Sequence, residues 1–335
     1  MNRIFVKWGA LWLAAAMVWT AGLGHAAEPI SMAYRLKWLF NVSTAGDLWA
    51  DTEGIFSGAG LNVEVKAGGP ERDAIKELEL GHTEFGVASA DQVIRAAAKG
   101  SPVVVIAQIF QINPLQWIYR ASAPPITTLG DLRGHTIGIT YGGNDETIMR
   151  TLLAKAGLDE KDVSLFSVRY DFTPFYQKRA EIWPIYRNSQ GITIAHRMAN
   201  AGDPVRYLDP AAFGVRFVAN SVVTSRAMME ERPETAVLFV RALCRAWEEA
   251  LDPANEEKAL AVIARFDKDS PPDLLKEQLD VTRQLVRPDP GVAVGTIDVA
   301  AWRQTEQVMR DQGLIQAPVQ VERRLFPFGA PSKPQ

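Results

Sequence analysis

Cysteine is nearly absent: 335 residues carry one, Cys244. A lone cysteine closes no internal disulfide, and this one lies in the helical run ETAVLFVRALCRAWEEAL on the side of Val237, Val240 and Trp247, which predicts a buried, inert thiol. Histidine is also scarce. No two of His25, His82, His135 and His196 have metal-ligand spacing, so no metal site is expected. Basic residues are not in excess: 36 Lys and Arg against 39 Asp and Glu leave a formal charge of −3, without a basic stripe for nucleic acid. The chain has no G-x-S-x-G elbow and no G-x-x-x-x-G-K-[ST] phosphate loop, so neither a catalytic residue nor a cofactor is expected. It also lacks a fixed-period repeat. Beyond the N-terminus no stretch reaches the ~20 apolar residues of a membrane-spanning helix.

What is present starts with Arg3 and Lys7 ahead of the apolar WGALWLAAAMVWTAGLG and the small residues of GHAAE. This is the layout of a secretory signal peptide over 1–26, with cleavage after Ala26; an uncleaved anchor would deliver the rest to the same side of the membrane. Cleavage leaves 309 residues with a formal charge of −5, enough for two domains. Strand-like runs at 30–36, 61–67, 85–89 and 103–109 alternate with helical stretches, among them AGDLWADTEGIF and ADQVIRAAAKG. A second series follows through TIGITYG, DETIMRTLLAKAG, VSLFSVRY and RFVANSVVTS. The alternation predicts an α/β protein of βαβ units with mostly parallel sheets. After Ser225 the pattern is helical to about Gln312, and FPFGAPSKPQ reads as an extended or frayed tail.

The stretches LKWLFNVSTAGDLWADTEGIFSGAGLNVEV, GHTEFGVASADQVIRAAAKGSPVVVIAQI and TTLGDLRGHTIGI occur in an order that resembles the periplasmic substrate-binding proteins of nitrate/sulfonate/taurine-type ABC importers. That family includes binders of thiamin pyrimidine precursors. The resemblance implies a bilobal type II periplasmic binding fold with crossover strands near Gln116–Arg120 and Arg216–Val222. Lobe 1 would comprise 28–117 and, with the return strand and C-terminal helices, 219–320; lobe 2 would be 118–218 and the tail 321–335. It implies a periplasmic monomer that closes on a small-molecule ligand and presents it to an ABC permease at the inner membrane.

Candidate ligand contacts follow from that placement. Trp38 offers a flat face and Asn41 a donor and acceptor at the end of the first strand, unless Trp38 packs inward. Ser89 caps a helix or shows its hydroxyl to a ligand. Asn113 reaches the cleft or serves the turn before Pro114. In ITYGGNDETIMRTLL, Gly142 and Gly143 precede a helix whose first turn carries Asn144, Asp145 and Glu146. The acids suit the helix dipole; a cleft position for Gly143, Asn144 and Asp145 would favour amino or ring N–H groups over an anion. In EIWPIYRNSQG, Tyr186 could stack on a ring, Arg187 pair with an anion and Asn188 read a polar edge; alternatively Trp183 and Ile185 are core and Arg187 bridges to Glu181. Trp247 and Trp302 read as packing residues. The expected ligand is planar and nitrogen-containing or aromatic. The alternatives are an alkanesulfonate, taurine or aromatic carboxylate held by Arg187 and the Gly142–Gly143 amides, a thiamin-pyrimidine synthase that consumes pyridoxal phosphate and its own histidine, or a sensor that presents the closed form to a receptor.

Overall fold

The structure, a computed structural model, describes residues 28–69, 71–169 and 171–328; the expected signal peptide lies outside the described residues. Along them run β1 Ile30–Arg35, β2 Leu61–Lys66, β3 Phe85–Ala88, β4 Val103–Gln108, β5 Leu115–Arg120, β6 Thr136–Ile139, β7 Ser164–Ser167, β8 Trp183–Tyr186, β9 Val205–Leu208 and β10 Ser221–Ser225. The first sheet has the order β2-β1-β3-β10-β4. At its edge β2 alternates buried and exposed residues, as a strand covered on one face does, whereas β3 and β4 are buried throughout. Parallel β1, β2 and β3 answer to the βαβ pattern, but β10 inserts antiparallel between β3 and β4.

The second half corrects the expectation of mostly parallel sheets. β5 pairs antiparallel with both β8 and β9; among the described strands there, parallel pairing joins β6 with β7, with one further parallel bridge from Ile137 to Ile182. β8 was not predicted, because Pro184 interrupts its pattern. Proline is tolerated there because β8 is an edge strand in the order β8-β5-β9.

The chain leaves the first sheet from β4 to β5 and returns to it from β9 to β10. Asn113 ties the two passages together: its Nδ2 donates to the Phe217 carbonyl at 3.1 Å, and its Oδ1 accepts from Leu115 N at 2.9 Å. The second passage is irregular up to Ser221, so the strand expected over 216–222 is shorter and later than its sequence suggests.

Beyond β10 the expected helices are Arg226–Glu231, Pro233–Leu251, Glu256–Phe266, Leu275–Val286 and Val299–Asp311. The Pro233–Leu251 helix covers the first sheet, with Phe239 stacked on Phe85 at 3.9 Å between ring centroids. It also meets the helix Ala45–Thr52 at Gly46, where a Cβ would stand 2.2 Å from Trp247 Cγ; only glycine allows that approach. The single helix expected from AGDLWADTEGIF is broken at Gly54, whose φ of +68° is left-handed, and resumes over Ile55–Gly58. Cys244 packs against Gly295, and burial pushes its thiol up to about 12. Trp302 is core, donating to Gln108 Oε1 at 3.2 Å.

Of the expected tail FPFGAPSKPQ only 326–328 are described, and 329–335 lie outside the described residues. Phe326 N donates to the Val105 carbonyl at 2.8 Å, so the chain just after Val321–Arg324 extends along the edge of β4.

Candidate ligand-binding cleft

The carboxyl ends of β1, β3 and β4 converge with the residues before β10 on one side of a cavity of about 360 Å³. Strand ends are where open α/β sheets place their ligands, and the volume is that of a small-molecule site, roughly 300–1,000 Å³. On this side stand Lys37, Trp38 and Asn41, with Asp47 from the following helix and Trp247 from Pro233–Leu251. The opposite wall comes from the β6 loop Thr140–Asp145, the segment around Phe172, and Pro184–Tyr186.

The floor is polar but internally tied. Tyr34 Oη donates to Asp47 Oδ1 at 2.8 Å, and both side chains are buried. Burial raises the Asp47 carboxyl from 3.8 to about 7, against the opposing help of the Tyr34 hydroxyl and the nearby Trp247 indole. Tyr34 is itself pushed well above its ordinary range by burial and by Asp47.

The glycine loop forms the other acidic point. Gly142 has a φ of +81°, and its N–H donates to Glu146 Oε2 at 2.7 Å; the Gly143 N–H donates to the Thr140 carbonyl at 2.8 Å. Both amides are thus used inside the loop and are not offered to an anion. Asp145 folds back so that Oδ2 accepts from Thr140 N at 2.5 Å, and a Cβ on Gly143 would stand 2.4 Å from its Oδ1. Asp145 therefore serves its loop and lines the cavity at once. Burial raises it from 3.8 to about 6, while Thr140 and the charge of Lys37 favour the ionised form.

Of the residues singled out from sequence, Trp38, Asn41, Gly143, Asn144, Asp145 and Tyr186 line this cavity. Asn41 also accepts from Ser43 N at 2.8 Å, capping the short turn Val42–Thr44. The other four are corrected. Ser89 is buried, caps Ala90–Ala98 and donates to Asp91 Oδ1 at 2.6 Å. Asn113 braces the two passages between sheets. Arg187 is exposed and outside the lining, and Glu181 engages His135 and Thr136 N in place of it. Asn188 is fully buried: its Nδ2 donates to Ser43 Oγ at 3.0 Å and Thr282 Oγ1 at 2.9 Å, holding the two walls together. A second tie runs from Arg95 to Thr147 Oγ1 at 2.7 Å.

Sequence reasoning missed Lys37, Asp47 and Trp247. A carboxylate on the buried side of an otherwise apolar helix turn was the available signal for Asp47, and a lysine beside Trp38 the one for Lys37. Trp247 lies 200 residues from Asp47 along the chain and carried no local sign.

Comparison with known proteins agrees with this architecture. The riboflavin-binding protein RibY of Chloroflexus aurantiacus is 25% identical over 307 residues, covering 86% of this chain and 82% of that one. A formylaminopyrimidine-binding protein of Halalkalibacterium halodurans is 23% identical over 318 residues, 93% of this chain and 94% of its own. The periplasmic aliphatic sulphonate binding protein SsuA from Escherichia coli matches with a TM-score of 0.70 at 17% identity, over 92% of this chain and 94% of that one, so the fold is that of the periplasmic binding proteins. The pattern of the family described as NMT1/THI5 like extends over residues 41–256, more than half of the sequence, and the chain belongs to that family.

Proposed function

We propose that this protein is the periplasmic solute-binding component of an ABC importer, and that it captures a planar, nitrogen-containing heterocycle for delivery to a membrane permease. The lobes that close on it divide near residues 117 and 218, where Asn113 and Phe217 join the two passages. The observation that carries the choice of ligand is the pairing of aromatic faces with buried carboxyls in one cavity. Trp38, Phe172 and Tyr186 supply flat surfaces, and Asp145 supplies an acceptor for a ring or amino N–H. An anion is disfavoured at the glycine loop, whose Gly142 and Gly143 amides are already engaged and whose helix opens with two acids. Sequence relatives named for binding riboflavin and formylaminopyrimidine support the same reading. SsuA shares the fold alone, and its sulfonate ligand is not carried over.

Titration calorimetry of the purified protein with riboflavin, a formylaminopyrimidine and an alkanesulfonate tests the reading. One of the two heterocycles should give a saturable heat and the sulfonate none. Saturable binding of the sulfonate with silence from both heterocycles would overturn it.

A further inference from the structure

Among the described residues that line the cavity, three buried side-chain donors have no hydrogen-bond partner within the protein: Trp247 Nε1, which lies near Asp47, and Lys37 Nζ and Asn144 Nδ2. Lys37 Nζ and Asn144 Nδ2 are both buried, both belong to residues that line the cavity, and neither makes a hydrogen bond. A buried donor left unpaired costs roughly 1–3 kcal/mol, and more when charged, so each calls for an acceptor that the ligand would bring. Between them in chemical character stands Asp145, an acceptor whose second role is in its own loop. Lys37 extends from the end of β1 and Asp145 from the β6 loop, so the two face each other from opposite walls. They feel each other's charge without forming an ion pair or a hydrogen bond. Direct contact would have satisfied both; the gap leaves each with capacity for something between them.

We infer that Lys37, Asn144 and Asp145 form a subsite for a cyclic amide or imide edge, with ring carbonyl oxygens accepting from Lys37 Nζ and Asn144 Nδ2 and the ring N–H donating to Asp145. The chemistry follows from the two donors and one acceptor of these three residues. A sulfonate or carboxylate supplies acceptors alone and sets its charge against Asp145. A simple ammonium supplies donors alone and leaves Lys37 and Asn144 unpaired beside a second cation. A carbonyl next to an N–H satisfies all three residues while remaining neutral, so Lys37 and Asp145 keep their mutual attraction across it. This inference rests on the heterocycle reading above and narrows it to rings that carry a carbonyl beside N–H.

The test uses the purified protein and three probes: riboflavin, whose ring carries such an imide, 3-methylriboflavin, in which the imide N–H is replaced, and a formylaminopyrimidine, whose ring has none. Riboflavin should bind, and methylation of its imide nitrogen should weaken binding to the wild-type protein at least about tenfold, the worth of one charge-assisted hydrogen bond. Lys37→Met should weaken riboflavin by a similar factor, with Lys37→Gln as the companion if the methionine variant melts early. Because the methylated probe acts on the wild-type protein, the decision does not depend on any variant folding. Riboflavin binding that neither methylation nor the Lys37 variants weaken overturns the subsite and leaves the heterocycle reading intact. So does binding of the formylaminopyrimidine with silence from riboflavin. Silence from both heterocycles overturns the subsite and the heterocycle reading together.

Discussion

The two walls of the cavity hold one buried carboxyl each, and they are built in opposite ways. Asp47 sits on a helix pinned from below: Tyr34 bonds it, Trp247 presses on Gly46, and the residues around it are core. Asp145 sits at the start of Asn144–Lys155, in a loop of two glycines whose neighbour Tyr141 is 56% exposed. Burial raises both acids, but only Asp145 meets a cation, Lys37, across the open space. The difference teaches that a buried carboxyl in a cavity is not by itself a ligand contact. Asp47 is a structural acid that shapes the floor, and Asp145 is the one with chemistry to spare.

The contrast can be broken most severely at Asp47. Its carboxyl lies at about 7 in the folded chain against 3.8 when free, so the folded state holds a proton that the unfolded state has lost. The associated stability is present in full below about pH 4 and disappears as the pH rises through about 7, a change on the order of 4 kcal/mol. Urea midpoints measured from pH 4 to 8 should fall accordingly, and Asp47→Asn should flatten that slope. An unchanged slope would place Asp47 in contact with solvent.

Gly46→Ala comes next. A methyl group 2.2 Å from the Trp247 ring has to push apart two packed helices, costing about 3 kcal/mol in urea unfolding. The matching change on the other wall, Gly142→Ala, has open space around it and should cost only the roughly 1 kcal/mol of placing a side chain at positive φ. Equal losses would erase the distinction between a rigid and an adaptable wall.

On the binding side, Trp38→Ala should weaken the proposed heterocyclic ligand by roughly 1–3 kcal/mol in calorimetry, with little change in melting temperature. Unaltered affinity in a stably folded variant removes Trp38 from the site. The smaller of the two binding effects concerns Asp145→Asn, which should weaken an N–H-bearing ligand about tenfold at pH 8. Below about pH 6 the wild-type carboxyl takes up its proton and wild type should lose the same advantage, so the two curves converge. Curves that stay parallel through pH 6 would show that Asp145 serves its loop alone.

Local patterns were readable where neighbours in sequence do the structural work. The runs Leu61–Lys66 and Val103–Gln108 announce strands because alternation and β-branched residues are local properties, and the glycines before Asn144 announce a turn into a helix for the same reason. β8 was hidden because Pro184 obeys the tolerance of an edge, and edges are decided by the whole sheet. The site shows the same limit. Asn188 has the right chemistry for a ligand contact, yet its amide is taken by Ser43, 145 residues earlier in the chain, and by Thr282, 94 residues later. Residue type tells what a side chain can bond to. Only the fold tells whether something else has reached it first.

The Cys244 thiol, wedged against Gly295 and held near 12 by burial, carries a practical consequence. At neutral pH it is almost entirely protonated, and thiol-directed reagents attack the thiolate. A second cysteine placed at Leu39, 38% exposed and next to Trp38, would therefore take up a fluorescent label with little competition from the native one. The protein comes ready for conversion into an optical reporter of its own ligand.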